Sequence, residues 1–234
     1  MFIRQKISVF FVPLLVFSLN SAAQCFAADK DLVAYWSFDE TKGEVVKDSS
    51  ENCEEADVID GEWVKGRVGN ALRFNGESSY VQCYVSPALE IIEGLTIEAW
   101  IYPENIARGR QGIIYKHYNN EYEVIIEPDA KISFYHGDGQ YEEIEEPVIA
   151  IPENAWTHIA VTRNMDSGKI GFYVNGELKG EADFIKIPQA SAGPVSIGWR
   201  TGTTFYFQGI IDEVKIYSRA LTEKEIKEEA GRVK

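Results

Sequence analysis

The residues of this chain with chemistry to offer are aromatic, amide-like and acidic rather than nucleophilic. Tyr115, His117 and Tyr118 fall at the end of one apolar run and in the loop after it, Tyr135 lies in a later run, and Trp199 and Arg200 open a loop that continues Thr201-Gly202-Thr203-Thr204. Aromatic rings stack on the C–H faces of sugars, while sugar hydroxyls need paired donors and acceptors of the kind that Arg, His and Tyr supply. Loops carried on a rigid scaffold are where binding sites concentrate. These six residues form the candidate ligand set, with Tyr122, His136, Tyr141 and Tyr206 as further aromatic or imidazole candidates; Trp36, Trp100 and Trp156 read as core. One carboxylate stands out. In the run Gly209–Ser218 a period of two puts Ile210, Asp212, Val214 and Ile216 on one face. An acid on a core-facing row requires a hydrogen-bond network, a cationic partner or a metal ion.

Nothing in the chain announces covalent or metal hydrolysis. There is no Gly-x-Ser-x-Gly and no His-Glu-x-x-His, and His117, His136 and His158 show no ligand spacing. His158 shares a face with Trp156 and Ala160 and reads as structural.

The elements that would position these residues are almost all strands. Runs over Leu32–Phe38, Ser79–Val85, Leu95–Tyr102, Gly112–Lys116, Tyr122–Glu127, Lys131–His136, Trp156–Arg163, Lys169–Asn175, Glu177–Ala182, Pro194–Gly198 and Gly209–Ser218 alternate or are rich in β-formers, and turn residues separate them. Asn175-Gly176 predicts a type I′ hairpin. Thr222 with Glu225 three residues on predicts a capping box opening one short helix, with Leu221 and Ile226 at the staple positions. The acidic stretch Glu142–Glu146 reads as a solvated loop or sheet edge. Together these predict an all-β fold, a two-sheet antiparallel jelly-roll sandwich with one short C-terminal helix.

The bulk composition bounds the partners. Arg4 and Lys6 precede an apolar run over Ile7–Leu19, which reads as a signal peptide over residues 1–27 cleaved after Ala27, too short for a confident membrane span. Removing those two cations takes the net charge from −14 to −16. Such a chain repels nucleic acid and anionic membranes, and no second apolar span follows, so residues 28–234 read as one secreted or periplasmic domain. Cys53 and Cys83 are expected to form a disulfide in that oxidising compartment, worth about 3 kcal/mol in the chain-entropy account. A buried thiol at Cys83, on the face of Val81 and Val85, is the alternative.

Several segments, taken in order, resemble a laminin-G-like jelly roll of the concanavalin A-like lectin/glucanase type. They are Leu32–Glu40, Gly66–Gly76, Leu95–Pro103, Trp156–Thr162, Tyr173–Gly176 and Ile211–Leu221. The resemblance covers nearly all of residues 31–230 and implies two packed sheets with neighbouring termini. It also implies a structural calcium near the first and last strands, for which Asp39, Asp48, Asn75 and Asp212 are the candidate ligands. Glucanases of this fold carry Glu-x-Asp-x-Glu on one strand; that pattern is absent, and Glu98 stands alone on its run. The expected function is therefore a secreted, non-catalytic binding domain for a glycan. A protein-binding adhesion module is the rival, and a glycoside hydrolase a third reading.

Overall fold

The computed structural model describes residues 29–50, 52, 55–145 and 149–232. Residues 1–27 and Cys53 lie outside this set, and with them the expected signal peptide and one half of the expected disulfide. The strands in chain order are β1 (Leu32–Trp36), β2 (Val45–Val46), β3 (Ala56–Ile59), β4 (Glu62–Lys65), β5 (Asn70–Asn75), β6 (Tyr80–Cys83), β7 (Leu95–Pro103) and β8 (Gln111–Tyr115). They continue with β9 (Glu123–Ile126), β10 (Ile132–Gly137), β11 (Glu142–Glu145), β12 (Thr157–Asn164), β13 (Lys169–Val174), β14 (Glu177–Asp183), β15 (Val195–Ile197) and β16 (Gln208–Tyr217). Helix α1 (Glu223–Ala230) follows.

Two antiparallel sheets form. The first runs β14-β13-β12-β7-β16-β5-β4, with β1 also on β16; the second runs β11-β10-β9-β8-β15-β6-β3-β2. Alternation decides which side chains meet between them. Leu72, Ile97, Ile101, Val161 and Ile211 of the first sheet join Val81, Ile114, Val124, Phe134 and Ile197 of the second in one buried cluster. Glu142–Glu145 of the acidic stretch form edge strand β11, where charge protects an open hydrogen-bonding edge; Glu146 lies outside the described residues.

Local signals act as expected. Asn175 and Gly176 have φ of 52° and 79°, both left-handed as a type I′ turn requires. Thr222 and Glu225 make both hydrogen bonds of the capping box, and Leu221 and Ile226 pack with Ala160, Tyr173 and Tyr217 on the outer face of the first sheet. Trp156 departs from expectation: it is half-buried and packs edge-on against Tyr102 at 5.6 Å, on the face away from the core.

The row predicted for the last strand is also corrected. Pairing of β16 with β7 shifts register between Asp212 and Lys215, and Glu213 there has φ of 52°. The bulge reverses alternation, so Ile211, rather than Ile210, joins Val214 and Ile216 in the core. It falls where the other edge of β16 passes from β5, paired at Gln208–Ile211, to β1, paired at Val214–Tyr217. Asp212 is fully buried all the same, because the turn joining β4 to β5 closes over it.

Candidate functional site

The predicted aromatic residues converge on the outer face of the second sheet. Ile114, Val124 and Phe134 point into the core, so their neighbours Tyr115, Glu123 and Tyr135 point out. Register places these three side by side, Tyr115 opposite Glu123 and Glu123 opposite Tyr135. Over them folds the segment joining β15 to β16. Its approach depends on Gly112: a Cβ there would stand 2.7 Å from the Arg200 nitrogen, and the Gly112 N–H donates to the Phe205 carbonyl at 3.0 Å.

This approach carries the Arg200 guanidinium into an aromatic enclosure. Its Cζ lies 4.3 Å from the Tyr118 ring centroid, 5.8 Å from that of Tyr135 and 5.7 Å from that of Phe205, within cation–π range. Its Nη1 is 3.5 Å from Oε2 of Glu123. His117 stacks parallel on Tyr118 with centroids 5.8 Å apart. Trp199 lies on the same outer face, stacked on Tyr206 at 5.4 Å and tilted against Tyr80 at 4.7 Å, its Nε1 donating to the Thr203 carbonyl at 3.0 Å.

Glu123 is the unexpected member. It is fully buried and neither carboxyl oxygen has a hydrogen-bond partner. Burial pushes its pKa up to about 8; Arg200 and Arg110 pull it down, while Glu127 and Glu142 push it further up. Glu127, by contrast, is fully engaged. It accepts from the Tyr135 hydroxyl and from Nε of Arg110, each at 2.9 Å. The set is thus an arginine–tyrosine cluster built over a buried, unsatisfied carboxyl, with His117, Tyr118, Arg200 and Phe205 the partly exposed members that can offer donors and ring faces. Glu123, Glu127, Arg110 and Phe205 were not singled out from sequence. The available signal was Glu123-Val124-Ile125-Ile126-Glu127, two acids sharing one strand face within an apolar run.

Other candidates go elsewhere. Tyr122 faces the core and donates to the Leu89 carbonyl at 3.2 Å. His136 is buried against Phe134 and Phe184. Tyr141 is exposed beneath Lys186. Glu98 lies on the outer face of the first sheet, buried with Lys215 at 3.3 Å and His158 Nε2 at 3.7 Å.

The four expected calcium ligands do not gather. Asn75 ends β5 and Asn70 begins it, about 17 Å apart at strand rise, and the Asn75 Oδ1 accepts from the N–H groups of Glu77, Ser78 and Ser79. Asp48 spends Oδ1 on the N–H groups of Tyr35 and Ser50, and Oδ2 on the Ser50 hydroxyl and the Asn52 N–H. Asp39 and Asp212 do meet one element, the Gly66–Gly69 turn. A Cβ on Gly69 would fall 2.0 Å from Asp39 Oδ1, and one on Gly66 2.6 Å from Asp212 Oδ2. Asp212 Oδ2 accepts from the Val68 N–H at 2.9 Å, while Oδ1 is buried without a partner. Burial raises the Asp212 pKa to about 7 against the opposing Val68 hydrogen bond. These two carboxylates fit a hard cation; Asp48 and Asn75 do not. Among the described residues no three His, Cys, Asp or Glu side chains are grouped for a metal, so main-chain oxygens would complete the shell. Cys83 is buried on β6 opposite Ala56.

Two packed antiparallel sheets whose first and last strands pair side by side define a laminin-G-like jelly roll. The chain belongs to the Laminin_G_3 family of the concanavalin A-like lectin/glucanases superfamily, whose model matches residues 75–227. No curated protein matches it by sequence. Among solved structures, domain 4 of AbnA, a GH43 extracellular arabinanase from Geobacillus stearothermophilus in complex with arabinotriose, superposes with a TM-score of 0.67 at 21% identity, covering 86% of this chain and 98% of that one. The binding domain of Paraclostridial Mosquitocidal Protein 1 gives 0.70 at 18% identity, with 86% and 52% covered. The binding domain of botulinum neurotoxin DC, in complex with rat synaptotagmin II, gives 0.65 at 15% identity, with 87% and 52% covered. The chain thus spans about half the length of the two toxin domains, and at these identities the likeness is one of fold. No helix among the described residues is long and apolar enough to cross a membrane.

Proposed function

We propose that this chain is a secreted, non-catalytic carbohydrate-binding module whose site is the Tyr115–Tyr118–Tyr135–Arg200 cluster around Glu123. One observation carries the reading: a buried carboxyl with no hydrogen-bond donor lies beneath an arginine held among three aromatic rings. Buried polar groups are almost always satisfied, so an unsatisfied carboxyl calls for an explanation. The half-buried Arg200, Tyr118 and His117 meet the sugar's hydroxyls and apolar face, while Glu123, buried below them, holds the Arg200 guanidinium in place. The arabinotriose bound to the similar arabinanase domain supports the ligand class.

Binding is favoured over hydrolysis. Glu123 and Glu127 sit four residues apart on one strand, their backbones about 13 Å apart. Glu127 is already committed to Arg110 and Tyr135, so it is not free to act as the second carboxylate that a glycosidase needs. The rival, a protein-binding module, has its own support in the exposed Tyr141, Ile144, Ile185 and Ile187 and in the synaptotagmin bound to the similar toxin domain.

A glycan array followed by calorimetry separates the two. Wild type is expected to bind a neutral oligosaccharide, with Tyr118→Ala and Arg200→Ala each lowering affinity by about tenfold or more; Tyr118→Ala is expected to melt as wild type does, and Arg200→Ala, which leaves the buried Glu123 without its cation, to melt lower. Absence of binding to any glycan, or binding indifferent to both substitutions, rules this site out. We further propose a structural calcium on Asp39 and Asp212 beside the Gly66–Gly69 turn. Added calcium is then expected to raise the melting temperature of chelator-treated protein, and Asp212→Asn to abolish the rise; an unchanged wild-type melt excludes the site.

A further inference from the structure

The candidate site is one end of a longer row. Strand register places Tyr135, Glu123, Tyr115, Ser196, Gln82 and Asp57 opposite one another on six successive strands, β10-β9-β8-β15-β6-β3. Their sequence neighbours Phe134, Val124, Ile114, Val195, Val81 and Ala56 all point into the core, so the whole row lies on the outer face of the sheet; Tyr135, Glu123, Tyr115 and Ser196 form its buried floor, and Gln82 and Asp57 are partly exposed. At a strand spacing of about 4.8 Å it runs about 24 Å across the sheet, perpendicular to the strands.

Midway, the segment between β15 and β16 crosses it. The Ser196 hydroxyl donates to the Trp199 carbonyl at 2.8 Å, and Trp199, stacked on Tyr206 and packed on Tyr80, caps the crossing with half-exposed rings. Beyond the crossing the row opens again at Gln82 and Asp57. Tyr84, two residues past Gln82 and therefore on its face, is 55% exposed, and its hydroxyl donates to the Asp57 carboxylate. With Val45, Glu55 and Asp57 it lines a shallow depression. An exposed tyrosine anchored at its hydroxyl presents a ring at low entropic cost, which is what a stacking platform needs.

We propose that the site takes a chain of neutral sugars rather than a terminal residue, and that Tyr84 with Gln82 and Asp57 forms a second subsite beyond the Trp199–Tyr206 stack. This rests on the carbohydrate reading given above. The ligand is a chain because accessible rings recur along one line, at Tyr118 beside Arg200, at the Trp199–Tyr206 stack above Ser196 and at Tyr84 beside Asp57, about two strand spacings or roughly 10 Å apart. It is neutral because Glu55 and Asp57 flank the second subsite without a cation in the depression, and because the chain as a whole carries a net charge of −14, which repels uronates and sulfated glycans.

The test is calorimetry of the full chain against neutral arabino-, xylo- and gluco-oligosaccharides from disaccharide to octasaccharide. For the series that binds, affinity is expected to rise on the order of tenfold between trisaccharide and hexasaccharide. Tyr84→Ala is expected to remove that rise and leave trisaccharide affinity unchanged. Tyr118→Ala should weaken short and long ligands alike. Tyr84 is exposed, so the variant should melt as wild type does; Tyr84→Phe, which loses the anchor but keeps the ring, should retain most of the gain. Affinity independent of length, or a Tyr84→Ala loss equal for both lengths, overturns the second subsite while leaving the first intact. Failure of wild type to bind any member removes both. A Tyr84-dependent protein ligand in place of a glycan would assign the strip to a polypeptide and overturn the proposal.

Discussion

Glu123 and Glu98 illustrate how two buried carboxyls in one small domain acquire different roles. Glu98 has Lys215 at 3.3 Å, and Lys215 in turn reaches Glu229 at 2.6 Å beneath α1, so its charge is neutralised within the fold. Glu123 has Arg200 at 3.5 Å and no hydrogen bond. Burial raises Glu98 to about 7, with Lys215 opposing, and Glu123 to about 8. Both values exceed the ordinary glutamate value of about 4.3, so across the interval the native state holds protons that the unfolded chain has released. Stability therefore falls as pH rises through it. His136 and His158, lowered to about 3 chiefly by burial, act in the opposite direction only below about pH 6.5, where an unfolded histidine takes a proton. Between about pH 6.5 and 8 these two carboxyls act together with Asp212, which burial raises to about 7, and all three act in the same direction. The melting temperature is expected to drop over that window, and Glu123→Gln to make the drop shallower. A variant whose pH slope matches wild type would show that Glu123 is ionised in the folded protein. The positions of these acids in strands were legible in the sequence; their partners were not, since Arg200 and Lys215 arrive from segments remote in the chain.

At the scale of elements, the informative places are where strands change partners. The Glu213 bulge lets β16 exchange β5 for β1, and the Gly66–Gly69 turn fills the gap beside it. Gly69 has φ of 70°, and a methyl group there would meet Asp39 Oδ1. Gly69→Ala is thus expected to cost roughly 1–3 kcal/mol, read as a lower urea midpoint with an unchanged slope. A midpoint within error of wild type would mean that the turn relaxes at no cost. The long strands β7, β12 and β16 were readable because alternation persists over many residues. The short strands β2 to β5 were not: β2 and β4 lie at sheet edges, and all four are too short for alternation to stand out. The bulge itself left no mark in the sequence: a period-two reading runs straight through Asp212-Glu213-Val214.

The whole molecule is an acidic sandwich closed where its ends meet, with Arg219 joining Asp29 and Asp31 to Glu225. The proposed binding face is polar and aromatic within a chain of net charge −14. A neutral glycan held there by stacking and hydrogen bonds exchanges few counterions. Affinity is therefore expected to change less than about twofold between low and high salt. A basic protein partner steered by the acidic surface would instead weaken steeply as salt is added, so titrations at two ionic strengths discriminate between them.

From its sequence alone this protein's architecture followed. Period-two alternation, the Asn175-Gly176 turn and the Thr222–Glu225 cap act over a few residues, where side-chain direction is set by backbone geometry. Which tyrosines join a site did not follow. Tyr122 and Tyr135 both sit in apolar runs, yet one packs into the core and the other is buried on the outer face beneath Arg200, because register across three strands and the path of a crossing loop decide it. Those are long-range contacts, fixed only when both sheets have packed. The same holds for Asp212, whose neighbours depend on a bulge that exists only where two partner strands end side by side.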